Sequence, residues 1–199
     1  MKRREFLKYT GFTALALSTS GYTFLDGNGL TVGDCRTTTD ILGPFYRSDA
    51  PFRRIISERE STGQVKINVV GTVFGSDCKT PVTNALIDVW HCDLQQDYDM
   101  TTDEYKCRGR FYSDENGAYS FQTFIPPPYG ARPKHIHYLV NKMDGYKELV
   151  TQLYFKGDKR IKENNWVSYP WDENRILDIY KNDADIAEVR LDLYLTPEQ

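Results

Sequence analysis

Residues 64–75 read QVKINVVGTVFG. Val65, Ile67, Val69 and Val73 recur at every second position, which is the period of a strand that buries one face. The same syntax returns at ALIDVWHC (85–92), GAYSFQTF (117–124), KHIHYLV (134–140), ELVTQLYF (148–155) and EVRLDLYL (188–195), each alternating or rich in Val, Ile, Tyr and Phe. Turn chemistry divides them: Gly75-Ser76-Asp77, Lys79-Thr80-Pro81, Asp114-Glu115-Asn116-Gly117 and Asp144-Gly145. Short strands so spaced predict an all-β fold, an antiparallel β-sandwich over 63–199. Only ENRILDIYKNDADIAE (173–188) offers a short C-terminal helix, and its pattern is ambiguous. Residues 25–62, with TTTDILGPFYRSDAPFRR (37–54), form an irregular arm that must cross the surface or pack on the sandwich.

With 40% hydrophobic and 27% charged residues in 199, the chain suits one core-bearing domain plus an appendage. The formal net charge is −3 although Lys2, Arg3, Arg4 and Lys8 face only Glu5 near the start, so the body is more acidic than the whole. That argues against a nucleic-acid partner and leaves room for a small anion in a local basic pocket. Residues 1–24, with a basic start and a short Gly- and Ala-rich stretch, read as a targeting segment. The run Arg3-Arg4-Glu5-Phe6-Leu7-Lys8 resembles the twin-arginine export signal, so the expectation is an exported, periplasmic protein without a membrane span in its mature part. Cys35, Cys78, Cys92 and Cys107 allow one or two disulfides among three pairings, and no C-x-x-C pair supports zinc.

The chemistry concentrates in PPPYGARPKHIHYLV (126–140). His135 and His137, two of only three histidines, stand at i and i+2 of a strand and share a face, with Ile136 turned away. Two imidazoles so placed can hold one metal ion. Tyr129 and Arg132 deliver a phenol and a guanidinium to the same mouth. Nitrogen donors with a hard phenolate oxygen suit trivalent iron better than zinc or calcium.

Five strings in order, TTTDILGPFYRSDAP (37–51), GTVFGSDCKTPVTNALIDVWHCDLQQDYD (71–99), RGRFYSDENGAYSFQT (108–123), PPYGARPKHIHYLV and ELVTQLYFKGD (148–158), resemble the intradiol ring-cleavage dioxygenases, the family of protocatechuate 3,4-dioxygenase and catechol 1,2-dioxygenase. The resemblance implies one non-haem Fe(III) per chain held by Tyr98, Tyr129, His135 and His137, with Tyr105 as the fallback for Tyr98. It implies that Arg132 stabilises negative charge on the substrate ring, that Gln152 holds Arg132, that Tyr129 leaves the metal with a substrate proton, and that Gly43, Pro44 and Phe45 line the pocket. Substrates would be a catechol and O2, the product a cis,cis-muconate, and a homo-oligomer is compatible with the pattern.

Two rival readings lead elsewhere. The strand and turn syntax also resembles transthyretin-like, carboxypeptidase-regulatory binding modules, which lack Tyr98, Arg132 and the H-I-H pair. Alternatively His91, His135, His137 and Asp93 would form a two-histidine, one-carboxylate Fe(II) centre. The chain also departs from the family it resembles: only GARPK separates Tyr129 from His135, where the protocatechuate enzymes carry a longer loop, and no helical dimerisation domain fits into residues 25–60.

Overall fold

The computed structural model describes residues 24–25, 31–32, 35–56, 65–163, 173–184 and 186–198. The run of basic residues near the start lies outside them. Residues 1–34 and 35–199 are two separate units. In the first, β1 (Phe24–Leu25) and β2 (Thr31–Val32) pair antiparallel.

The second unit is the expected sandwich. One sheet centres on β3 (Lys66–Phe74), which carries β6 (Ala118–Phe124) antiparallel on one edge and β11 (Ala187–Arg190) and β12 (Leu193–Tyr194) parallel along the other, with β10 (Tyr180–Lys181) outside β11. The facing sheet has the order β5 (Arg108–Tyr112), β4 (Leu86–Trp90), β7 (His135–Val140), β8 (Leu149–Phe155), β9 (Ile176–Leu177). Its β5, β4, β7 and β8 are antiparallel, and β9 joins β8 in parallel. Among the strands both sheets are therefore mixed only where C-terminal segments add to an edge, and the arm adds isolated parallel bridges at Phe52–Arg110 and Ile55–Gln122.

Alternation places the core. Ile67, Val69 and Val73 of β3 pack with Ile87 and Val89 of β4 and with Ile136, Tyr138 and Val140 of β7. Burying one such side chain contributes about 2 kcal/mol, so the sum over the two faces holds the sheets together. At Gly71 the crossing from β11 to β12 brings the chain so close that an added Cβ would fall 1.8 Å from the Leu191 carbonyl oxygen. Only glycine admits that approach.

The helix that the pattern over 173–188 suggests does not form. A 3-10 turn (Glu173–Arg175) leads into β9, and Asn182 Oδ1 accepts the N–H groups of Ala184 and Ile186 to turn β10 back onto β11. Asn182-Asp183 is turn chemistry, and it wins over a weak helical period. The one α-helix among the described residues is a single turn, Arg160–Glu163. No helix among them is long and apolar enough to cross a membrane.

Residues 35–56 are bound to the sandwich throughout. Asp40 N–H donates to Val150 O (2.8 Å), Thr151 Oγ1 to Thr38 O (2.8 Å), and Ile56 N–H to Gln122 O (3.0 Å). Cys35 and Cys78 form a disulfide, while Cys92 and Cys107 are buried and outside any disulfide. The bridge closes a sequence separation of 43 residues, for which loop entropy gives about 4 kcal/mol. Cys78→Ser, or reduction with dithiothreitol, is expected to lower the unfolding free energy in denaturant titration by about that much, with a raised m-value as the unfolded chain loses its cross-link and exposes more surface.

Candidate active site

The site sits on the outer face of the β7 sheet, opposite the core. Because β7 alternates, Ile136, Tyr138 and Val140 point into the sandwich, while His135 and His137 point out. Cross-strand register supplies their neighbours: Arg108, Trp90, His137 and Gln152 form one row across β5, β4, β7 and β8, and His135 faces Tyr154 in the next. Both imidazoles are nonetheless 2% exposed, so this outer face is covered.

Part of the cover is the loop between β4 and β5. Asp93 Oδ1 accepts the N–H groups of Gln95 and Asp97 (2.9 Å each), and Asp99 accepts those of Thr101, Thr102 and Lys106. Arg108 Nε donates to Asp99 O (2.8 Å), and Arg53 donates to the Tyr105 carbonyl. Two aspartate-capped turns thus flank Tyr98 and aim it at the histidines. Its oxygen lies 3.2 Å from His135 Nε2 and 3.3 Å from His137 Nε2, and those two nitrogens are 3.2 Å apart.

That triangle is the arrangement of donors around one ion. Two donors each about 2.1 Å from a metal stand roughly 3.0 Å apart at right angles and 3.4 Å apart at the tetrahedral angle. The protonation pattern agrees. His135 Nδ1–H donates to Pro133 O (2.7 Å), which leaves Nε2 as a lone pair facing the triangle. His137 lies flat on Trp90, with centroids 4.8 Å apart and planes 7° apart. Its Nδ1 has no partner among the described residues. Neither neutral tautomer of His137 satisfies every polar atom here: with the proton on Nδ1 that buried N–H has no partner and two lone pairs face one phenol proton, and with it on Nε2 the Nδ1 lone pair is left over, whereas the spacing of the three atoms suits a cation. Among the described residues no three His, Cys, Asp or Glu side chains converge, and the Tyr98 oxygen is what completes the set.

Electrostatics sharpen this. Burial, then the positive Arg132, pushes His135 down to about 4, and burial pushes His137 well below the usual histidine range. Burial, with the neighbouring Cys92, raises Tyr98 far above the tyrosine range, opposed by Arg132. Neutral imidazole is the metal-binding form, whereas the phenol needs a cation to ionise.

Tyr129 stands beside this triangle. Its ring makes edge contacts with Tyr98 (5.2 Å) and Phe45 (5.3 Å), but no hydrogen bond joins it to the histidines among the described residues. Arg132 is where the GARPK link puts it, its N–H bonded to Tyr129 O (2.9 Å) and its Nη2 donating to Gln152 Oε1 (2.6 Å). The arm closes the mouth. Phe45 stacks on Tyr98 at 4.4 Å and 7°, and Gly43, at φ +75, lies where a Cβ would be 3.7 Å from His137 Cε1. Pro44 is exposed in the turn between them. Tyr105 is elsewhere, under the Arg47 guanidinium at 3.8 Å.

His91 does not join the pair. Its Nδ1–H donates to Cys92 O (2.7 Å) and its Nε2 accepts from Thr123 Oγ1 (2.6 Å), while Asp93 is spent on its own loop. The two-histidine, one-carboxylate reading fails on those bonds.

Comparison with known proteins identifies the family. A family model described as "Dioxygenase" matches residues 41–197. The chain belongs to the intradiol ring-cleavage dioxygenase family. It is 32% identical over 156 residues to a chlorocatechol 1,2-dioxygenase of Rhodococcus opacus, covering 65% of this chain and 60% of that protein. It is 30% identical over 198 residues to a catechol 1,2-dioxygenase of Acinetobacter baylyi, covering 80% and 62%. The chain thus spans about three fifths of the length of these relatives. The dioxygenase domain of a dioxygenase and carbohydrate-binding protein fusion from Streptomyces sp. SirexAA-E superposes with TM-score 0.69 at 31% identity, covering 80% of this chain and 97% of that one. Membership of this dioxygenase family replaces the transthyretin-like reading.

Four side chains of the candidate site are not singled out by the sequence: Trp90, Tyr154, Asp40 and Arg175. Tyr154 follows Gln152 at i+2 on one strand, so alternation alone would have placed it on the same face. Trp90 needed the register of β4 on β7, and Asp40 with Arg175 needed the tertiary fold.

Buried His91 is held down to about 4, as His135 is, against about 6.5 for a free imidazole. A lowered histidine pKa favours the folded state fully above pH 6.5 and penalises it as pH falls toward 4, by about 2 kcal/mol per imidazole at pH 5. Metal-free protein is therefore expected to lose stability steeply between pH 6.5 and 4 in denaturant titrations. His91→Asn should flatten that slope by roughly one proton's worth, and an unchanged slope would refute the assignment.

Proposed function

We propose that the chain cleaves a catechol-type ring between its two hydroxyls with O2, giving a cis,cis-muconate-type product. The observation that carries this is the triangle of Tyr98 oxygen, His135 Nε2 and His137 Nε2 with sides of 3.2–3.3 Å. Tyr98, His135 and His137, with Tyr129 beside them, would hold one ferric ion. Such an ion, when bound, supplies a Lewis acid that chelates both catechol oxygens and draws electron density from the ring.

The rest falls to the protein's own groups. Pro133 O keeps the His135 tautomer, and Trp90 keeps the plane of His137. Tyr129, half-buried and close to Tyr98, would be held by the ion as a phenolate, and that oxygen is then the base able to take one of the two substrate hydroxyl protons. Arg132, held by Gln152, places a fixed cation where negative charge develops on the ring carbon that meets O2. Phe45 and Gly43 wall the ring from water. The substrate gives up the electrons and both oxygen atoms end in the two carboxylates, so no further reductant is needed. A short GARPK link leaves the entrance differently shaped from that of the longer-looped protocatechuate enzymes, which makes plain, alkyl- and halo-catechols the first substrates to try.

The export reading is also ours. The Cys35–Cys78 disulfide supports a protein that matures in an oxidising compartment, and the twin-arginine-type run supplies the route.

Protein loaded with ferric iron is expected to show a visible tyrosinate-to-iron band and to take up O2 with at least one of catechol, protocatechuate, hydroxyquinol and the alkyl- or halo-catechols. Tyr98→Phe should shift or abolish the band, and Arg132→Met should lower kcat by about 10²–10³ while the band stays. No O2 uptake with any of these, or a band untouched by Tyr98→Phe, would refute the reading.

A further inference from the structure

Gln152 is an amide whose two ends have nearly the same shape, so shape does not decide which end meets Arg132. Its partners do. Ile41 O, which can only accept, lies 3.0 Å from Nε2, and Asp40 Oδ1 lies 3.4 Å from the same nitrogen. The amide nitrogen is therefore committed to the arm, and Oε1 is turned to Arg132 Nη2 at 2.6 Å. Were the amide reversed, an NH2 group would face the guanidinium and a carbonyl would face Ile41 O and a carboxylate.

Asp40 commands a second branch. Tyr154 hydroxyl donates to Asp40 Oδ2 (2.9 Å), lies 3.0 Å from Gln152 Oε1, and is itself 3.4 Å from Arg132 Nη2. The carboxylate is fixed in turn: Oδ1 accepts Ile41 N–H (2.7 Å), Oδ2 accepts Arg175 Nη1 (2.7 Å), and the Asp40 backbone N–H is tied to Val150 O. The side chains of Asp40 and Arg175 are fully buried. A carboxylate so placed is saturated with donors and has no freedom to rotate.

We propose that Asp40 is a positioning residue for the Arg132 guanidinium, acting through the Gln152 amide and the Tyr154 hydroxyl. It rests on the reading of Arg132 given above and adds a group from the arm that touches neither substrate nor metal. The arm is thereby part of the catalytic geometry as well as a lid over it. Charge predicts how its loss differs from mere unfolding. Asp40 is ion-paired to Arg175 and lies behind Gln152 and Tyr154 from Arg132, so removing its charge leaves the pocket more positive and should not weaken binding of an anionic ring.

Asp40→Asn must set an NH2 group against one of the four donors that now converge on the carboxylate. Its kcat is expected to fall about tenfold or more with KM within about threefold of the wild type. Leu193→Ala, a core truncation on the opposite sheet, is the control: it loses thermal stability but keeps kcat near the wild-type value. In metal-free protein, the ¹H–¹⁵N resonances of the Gln152 side-chain amide, assigned by their loss in Gln152→Leu, should exchange slowly with solvent and become fast-exchanging in Asp40→Asn. If Asp40→Asn does not fold, Tyr154→Phe keeps the Asp40 and Arg175 pair and removes one branch, and should lower kcat about threefold at constant KM. Wild-type kcat in these variants, or kcat and KM moving together, overturns the proposal. Wild-type protein inert toward every catechol would sink the functional reading alone, and an amide resonance unchanged in Asp40→Asn would then overturn the positioning role by itself.

Discussion

Everything at the site depends on β7 being buried on both faces. A strand with a wet outer face would show His135 and His137 to solvent as ordinary histidines near their usual pKa. Here Ile136, Tyr138 and Val140 fill the core, and the opposite face is roofed by the Tyr98 loop and the arm. The two-residue period thereby sends apolar groups to one side and donors to the other within six residues. A slip of one residue against β4 or β8 would exchange the two sets, which the core forbids. Register is what makes the site.

The roof is built from charge and backbone as much as from rings. Arg47, Arg53 and Arg108 hold the Tyr98 loop mainly through carbonyl groups at Thr102, Tyr105, Arg108 and Asp99, so guanidinium planes replace the regular hydrogen bonding a loop lacks. On the other side the fully buried Asp40 and Arg175 pair clamps the arm to β8 and to the segment before β9. Breaking one partner of such a pair is far more damaging than replacing both, because it leaves a charge in a dry interior. Phe45 and Gly43 then occupy positions that a freely moving arm could not keep.

How much of this could be read from the amino-acid sequence follows from range of interaction. Strand period and turn residues are local, and they gave the sandwich and the shared face of His135 and His137, whereas the polar partner for Arg132 came from the family resemblance. The helical reading of 173–188 failed for two reasons, a local turn at Asn182-Asp183 and tertiary contacts that no window of sixteen residues contains, Arg175 with Asp40 and Ile176 beside Tyr154. Cysteine pairing was open among three arrangements for the same reason, since Cys35 meets Cys78 only once the arm is laid down. Tyr98 over Tyr105 came from resemblance, and it is the aspartate-capped turns at Asp93 and Asp99 that make the choice physical. Trp90, stacked on His137, is visible only after β4 and β7 are in register.

The donor triangle is a local conflict that the fold tolerates. His135 Nε2 is a lone pair by virtue of the Pro133 carbonyl, and it faces His137 Nε2 at 3.2 Å, while whichever nitrogen of His137 carries the proton, its buried Nδ1 stays without a partner among the described residues. Burial forbids the easy escape of protonating an imidazole, and it equally opposes ionising Tyr98. Three polar atoms are thus held close in an arrangement that no neutral protonation pattern fully satisfies. An under-satisfied buried cluster of this kind is where local consistency has been given up for chemistry. A cation at its centre would relieve the lone-pair repulsion and lower the phenol pKa in one step, so binding energy and stability must rise together. The sandwich supplies the rigidity that keeps the three atoms from drifting apart in the meantime.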